Sequence, residues 1–172
     1  FGNITSLENS LDYLKFDYTS LEIPKDLSNF SHLFLPGVGA FDWAMNRLTT
    51  SGLRESLEYL VLEKEVPILG ICVGMQMMTL RSEEGNLPGL GWFDAEVKRF
   101  EQGSSSKNLY LPHMGWNDVV PNHFNGLFDG ISDPKFYFLH SYFFASANPK
   151  HTLAITDYGI EFTSAAVNDH IY

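Results

Sequence analysis

The stretch that decides the fold reads Val66-Pro67-Ile68-Leu69-Gly70-Ile71-Cys72-Val73-Gly74. Its first part is a short, fully apolar run, the pattern of a strand buried on both faces. Just past Cys72 a helix is expected, carrying Met75, Met77, Met78 and Leu80. Between them, Gly70-Ile71-Cys72-Val73-Gly74 has the glycine-x-nucleophile-x-glycine form in the strand-to-helix setting that a nucleophile elbow requires. The glycines let the chain turn sharply and pack closely, so the thiol is expected to project from the carboxyl end of the strand. There the N–H groups of a helix start favour thiolate and can hold an oxyanion. The same pattern also fits a small apolar cysteine in a core, the commonest fate of a free thiol.

Working outward, His32-Leu33-Phe34-Leu35 is a second apolar run, stopped by the loop Pro36-Gly37-Val38-Gly39. In an open parallel sheet such loops gather at the carboxyl ends of the strands. The two loops together would then offer a thiolate and backbone N–H donors, as acyl transfer through a thioester demands, although the second loop fits a plain strand-to-helix turn equally well. Ile4, Leu7, Leu11 and Leu14 paint one helical face, with Asn3 as N-cap; Phe41, Met45 and Leu48, then Leu53, Leu57, Leu60 and Val61, predict two more helical pieces parted at Ser51-Gly52. After Glu84 the texture changes to short aromatic and β-branched runs: Trp92–Phe100, Trp116–Val120, Phe136–Phe144, Thr152–Thr156 and Phe162–Val167. The expected fold is an α/β sandwich, with a mostly parallel central sheet flanked by helices and extended by antiparallel strands, in one domain over residues 1–172. Gln102-Gly103-Ser104-Ser105-Ser106 reads as an exposed loop.

Composition narrows the function. The 172 residues carry a net charge of −10, which repels phosphate backbones and anionic lipid, so neither nucleic acid nor a membrane surface is an expected partner. No apolar run approaches a membrane span. The single cysteine excludes an intrachain disulfide and a cysteine-rich zinc site, and fits a reducing, cytoplasmic setting. No metal or cofactor is expected. Both ends, Phe1-Gly2-Asn3-Ile4 and His170-Ile171-Tyr172, read as cuts through structured sequence, so a longer parent chain is expected.

The stretches Leu35-Pro36-Gly37-Val38-Gly39, Leu69-Gly70-Ile71-Cys72-Val73-Gly74-Met75-Gln76, Ser82-Glu83-Glu84, Leu111-Pro112-His113-Met114-Gly115-Trp116-Asn117 and Tyr137-Phe138-Leu139-His140-Ser141-Tyr142 occur in order. In these the chain resembles the class I glutamine amidotransferases, and most closely the glutaminase subunits of imidazole glycerol phosphate synthase. The resemblance implies that Cys72 attacks the side-chain amide of glutamine, releasing ammonia and leaving a glutamyl thioester that water clears. It places the oxyanion on the Val73 N–H and a peptide of Gly37-Val38-Gly39, with Val38 and Gly39 as donors, and glutamine against Gly37, Gln76, Glu84, Ser141 and Tyr142. The α-ammonium of glutamine suits the Glu84 carboxylate. The implied partner is a (β/α)₈ cyclase that receives the ammonia in histidine biosynthesis, docked on a face including Asn3, Met114, Trp116 and Asn117. For Trp116, core packing and an interface fit the sequence equally.

One part of the family pattern does not occur. The thiol's base there is a histidine in an H-P-E segment, and no H-P-E is found in these residues. By resemblance it would begin a few residues past Tyr172, and the family's first strand would precede Phe1. His170 sits upstream of that place, in Asn168-Asp169-His170, and reads as a turn residue. His140 is expected to be a hydrogen-bonded strand histidine, His113 to be structural or interfacial, and His32, His123 and His151 to sit at strand ends or in loops. Three other readings compete with the first: the same chemistry serving another synthase, such as one that amidinates surface sugars; a catalytically silent partner-binding subunit; and an unrelated cysteine hydrolase acting on peptides or esters, which leaves the P-H-M-G-W-N segment and Glu84 unexplained.

Overall fold

The computed structural model describes residues 4–21, 30–101, 109–122 and 126–172. In chain order these form α1 (Ile4–Leu14), β1 (Leu33–Gly37), α2 (Phe41–Thr50), α3 (Leu53–Glu58), β2 (Ile68–Cys72), α4 (Val73–Met77), β3 (Arg81–Ser82), β4 (Ala95–Arg99), β5 (His113–Asp118), β6 (Val120–Pro121), β7 (Lys135–His140), β8 (Tyr142–Ser146), β9 (Thr152–Asp157) and β10 (Glu161–Ala166). Asn3, the expected cap of α1, and the Gln102–Ser106 loop lie outside the described residues.

β1 and β2 pair in parallel, with Gly37 opposite Cys72. On the other side of β2, residues 170–172 run parallel to it: the Ile68 N–H donates to the His170 carbonyl, Gly70 to Tyr172, and Tyr172 back to Ile68. β2 is therefore the middle strand of this layer, which explains why its sequence is apolar without alternation. The larger part is mainly antiparallel: β3, β4, β8, β10, β9 and β6 form one sheet in that order, parallel only between the short β3 and β4, and β5 pairs with β7 in another. The expected sandwich thus has its parallel strands concentrated around the elbow. No helix among the described residues is long and apolar enough to cross a membrane.

Leu35, Val61, Ile68, Met78, Phe93, Ala95, Phe144 and Ala166 join the parallel layer to the antiparallel sheet in one core. Phe41, Ala44, Met45, Leu48 and Leu53 bury α2 and the start of α3 against Val73 and Met77 of α4. Two expected elements are corrected. The helix after Cys72 ends at Met77, because the Leu80 N–H donates to the Ala95 carbonyl and Arg81–Ser82 pairs with β4; sheet pairing ends the helix despite the apolar periodicity, and Leu80 is exposed. The Phe136–Phe144 run breaks at Ser141, whose carbonyl accepts from Phe100 N–H, so that β7 and β8 enter different sheets.

Among the described glycines the tightest approach is at Gly74, where an added Cβ would lie 1.6 Å from the Leu35 carbonyl oxygen of β1. At Gly70 it would come within 2.8 Å of the Met75 backbone, and at Gly37 within 2.6 Å of the Gly74 nitrogen. The neighbour at Gly74 is main chain in a paired strand and cannot step aside. Gly74→Ala is expected to cost about 3 kcal/mol of stability, read as a lowered urea midpoint, with Cys72 alkylation disturbed in the surviving folded fraction.

Candidate active site

Cys72 is the last residue of β2 and precedes the first residue of α4. Its backbone stands at φ 58°, ψ −118°, a conformation costing a non-glycine residue about 1–3 kcal/mol. The packing just described holds it there: Gly70 and Gly74 let α4 fold back onto β1 and β2, and the chain must reverse in the single residue between strand and helix. The residue is exposed, at the carboxyl edge of the parallel layer.

Because Gly37 is in register with Cys72, the loop leaving β1 emerges at the same edge. Val38 and Gly39 are exposed there, and Gly39 has φ 86°, the left-handed region that glycine enters without penalty. Val73 is buried beneath the elbow. Residues 170–172, parallel to β2, point their carboxyl end to this edge as well.

Gln76, one helical turn beyond the cysteine, is buried and donates from Nε2 to the Tyr142 carbonyl at 3.3 Å, bringing the Ser141–Tyr142 segment against α4. Glu84 arrives from the loop after β3. One carboxylate oxygen accepts the Phe41 N–H at 2.9 Å, capping α2 immediately after the β1 loop, and the same carboxylate acts electrostatically on the Cys72 thiol. Asp42 answers in the opposite direction: its carboxylate accepts from Asn86 N–H (2.9 and 3.0 Å) and Leu87 N–H (3.0 Å). Gly85 fits between them because it has no side chain; a Cβ would sit 1.9 Å from Asp42 Oδ1. Two carboxylates thus clamp the Glu84 loop to the start of α2. Sequence reasoning found Glu84 but not Asp42, whose signal was an acidic residue in the first turn of a helix.

Of the residues expected at a partner face, Met114 and Trp116 are exposed, 60% and 73%, on the outer side of β5. Its exposure excludes core packing for Trp116. Tyr137 and Leu139 of β7, which sequence reasoning did not single out, stand opposite Trp116 and Met114 in register; both are exposed, and the Tyr137 ring meets Trp116 edge-on. Strand alternation puts Asn117 on the opposite face of β5 from Met114 and Trp116. Its amide donates to the Asp157 carbonyl and contacts His113. Asn3 lies outside the described residues. His113 and His140 hydrogen-bond each other, and His170 bonds the Val61 carbonyl at 2.7 Å, so these three are committed away from the thiol.

The thiol's own environment raises its pKa. Protein packed around the sulfur is the largest cause even though the residue reaches solvent; the Val73 N–H pulls the other way, and the Glu84 carboxylate adds a further upward push. In the absence of ligand, the rate of Cys72 alkylation is therefore expected to keep rising with pH beyond the ordinary thiol range. Glu84→Gln removes one upward push and should move that curve to lower pH; unmoved curves would contradict the electrostatic contact.

Comparison with known proteins agrees with this geometry. Residues 3–171 match the family model of the class-I glutamine amidotransferases. The chain is 47% identical to the imidazole glycerol phosphate synthase subunit HisH of Bdellovibrio bacteriovorus, over 99% of its own length and 84% of the relative's. It is 39% identical to the HisH subunit of Leptospira interrogans, with the same coverage. It is 41% identical to the HisH 2 subunit of Methanococcus maripaludis, again over 99% and 84%. A crystal structure of a glutamine amidotransferase superposes with a TM-score of 0.67 at 17% identity, over 91% of this chain and 80% of the other, which shows the shared fold. A strained cysteine elbow at a parallel sheet edge, the family match and these relatives agree: the chain belongs to the class-I glutamine amidotransferases, in the group of imidazole glycerol phosphate synthase HisH subunits.

Proposed function

We propose that this chain is the glutaminase subunit of an imidazole glycerol phosphate synthase, and that it passes ammonia to a (β/α)₈ cyclase partner. The observation that carries the reading is the elbow: a thiol held in a strained turn, with Gln76 one helical turn away and the Glu84 carboxylate near enough to act on it electrostatically.

In this reading Glu84 takes the α-ammonium of glutamine, and Gln76 with Ser141 and Tyr142 lines the rest of the ligand. Cys72 Sγ forms a bond to the side-chain carbonyl carbon, and the developing oxyanion is met by the Val73 N–H and a peptide N–H of Val38 or Gly39. Collapse breaks the C–N bond. The amide nitrogen, having gained a proton, leaves as ammonia, and a thioester remains. Water then adds to the thioester carbon, glutamate leaves, and the thiol regains its proton. The proton acceptor for Cys72 is assigned to none of His113, His140 and His170, which hold other partners. In this reading the burial and the Glu84 carboxylate that raise the Cys72 pKa hold the thiol mostly protonated in the absence of ligand.

The docking face in this proposal is the outer side of the β5–β7 pair, where Met114, Trp116, Tyr137 and Leu139 form an exposed apolar patch with an aromatic pair at its centre. Such a face is expensive to leave in water and suits an obligate or long-lived partner.

Two outcomes test the proposal. The protein with its synthase partner is expected to release ammonia from glutamine, and Cys72→Ser to abolish both that release and covalent capture of an electrophilic glutamine analogue, seen as one adduct by intact mass. Trp116→Ala should weaken partner binding by about 2 kcal/mol, roughly thirtyfold in Kd by titration calorimetry, with an unchanged circular dichroism spectrum; unchanged affinity would move the interface elsewhere.

A further inference from the structure

A polar pair outside the clamp and the elbow, one member buried and the other half-buried, has no part in the chemistry above. His113 of β5 and His140 of β7 face each other in the strand pairing, Nδ1 to Nε2, at 2.9 Å. Rings enclose them: His113 lies parallel to Phe138 and Tyr158, and Phe100 and Phe162 meet both imidazoles. Two hydrogen-bonding side chains in so apolar a cluster need a reason beyond packing.

Their protonation follows from what surrounds them. His140 Nδ1 lies 2.8 Å from the Tyr142 carbonyl oxygen, which can only accept, so Nδ1 carries the hydrogen. A neutral His140 then has a bare Nε2, and His113 Nδ1 must donate to it. His113 is left with a bare Nε2, and the Asn117 amide stands 3.3 Å from it. That amide's other hydrogen goes to the Asp157 carbonyl at 3.0 Å, and its oxygen accepts the Asp118 N–H at 2.8 Å. Every donor in the chain meets an acceptor in one direction only. Burial pushes both imidazoles down, His113 to about 4, consistent with neutral rings.

The chain ends on the carbonyl to which Gln76 donates. With one Nε2 hydrogen held by the Tyr142 carbonyl, which way the Gln76 amide faces depends on where that carbonyl points. We propose that His140, fixed in its tautomer by His113, is a positioning residue for the glutamine pocket, aiming the Tyr142 carbonyl and through it the Gln76 amide. This rests on the glutaminase reading above.

The test uses the protein with its synthase partner and compares two amides at position 140. His140→Asn places an N–H near the Nδ1 site and keeps the bond to Tyr142; His140→Gln places its amide near the Nε2 site and loses it. The expected result is a glutamine KM within about twofold of the parent for His140→Asn and raised about fivefold for His140→Gln, the factor of one neutral hydrogen bond, with kcat within about twofold in both. Equal KM values for the two variants, or a loss confined to kcat, would overturn the proposal. If neither variant folds, the same comparison at position 113 decides: His113→Asn keeps a donor toward His140 and His113→Gln does not, so only the second should raise KM, and equal KM values would again overturn it. A parent protein that hydrolyses no glutamine would instead remove the reading on which the inference stands.

Discussion

The approach of α4 to β1 at Gly74 sets the position of everything else in the site. With the Leu35 carbonyl only 1.6 Å from where a Cβ would lie, the helix can start against the sheet only as glycine, and the chain has one residue in which to reverse. That residue is Cys72, and its φ of 58° is what closing the turn requires. The same approach fixes the register of Gly37 with Cys72, so the loop of β1 and the thiol leave the sheet together. The thiol and the backbone of the β1 loop are thereby neighbours in the fold itself, and the backbone strain is offset by the buried contacts of Phe41, Met45, Val73 and Met77 beneath.

The antiparallel half supplies one wall of the proposed glutamine site and the proposed partner face. β7 and β8 are almost continuous in sequence, yet the break at Ser141 sends one to β5 and the other to β4 and β10. At that break lies the Ser141–Tyr142 segment, which touches α4 through Gln76. The outer side of β5–β7 is apolar and exposed, while the inner side carries the histidine pair. One thin ribbon therefore has the proposed docking surface on one face and hydrogen bonds leading to the proposed glutamine pocket on the other.

Much of this was legible from residue pattern. The unalternating apolar runs at Leu33–Leu35 and Val66–Ile71 marked the parallel strands, and the glycines around Cys72 marked the elbow, because both signals are local. The extent of the helix after Cys72 was not legible: the apolar spacing runs on to Leu80, but pairing of the next residues with β4 ended the helix at Met77. Nor was the side of Asn117, since a run of polar and aromatic residues does not tell which parity of a strand faces inward until its partners are known. Asp42 escaped notice for a similar reason. Its partners are main-chain N–H groups more than forty residues away, and main-chain donors leave no trace in the sequence.

Glu84 has two claimants. In the resting protein one of its oxygens terminates α2, and in the proposed complex the carboxylate also answers a ligand's ammonium. Only Oε2 is used by Phe41, so the second oxygen is open to the ammonium of the proposed complex, and both partners share the charge of one carboxylate. Phe41 is also the residue where the β1 loop ends. A change at Glu84 is therefore expected to act on the start of α2 and on the proposed ligand site together.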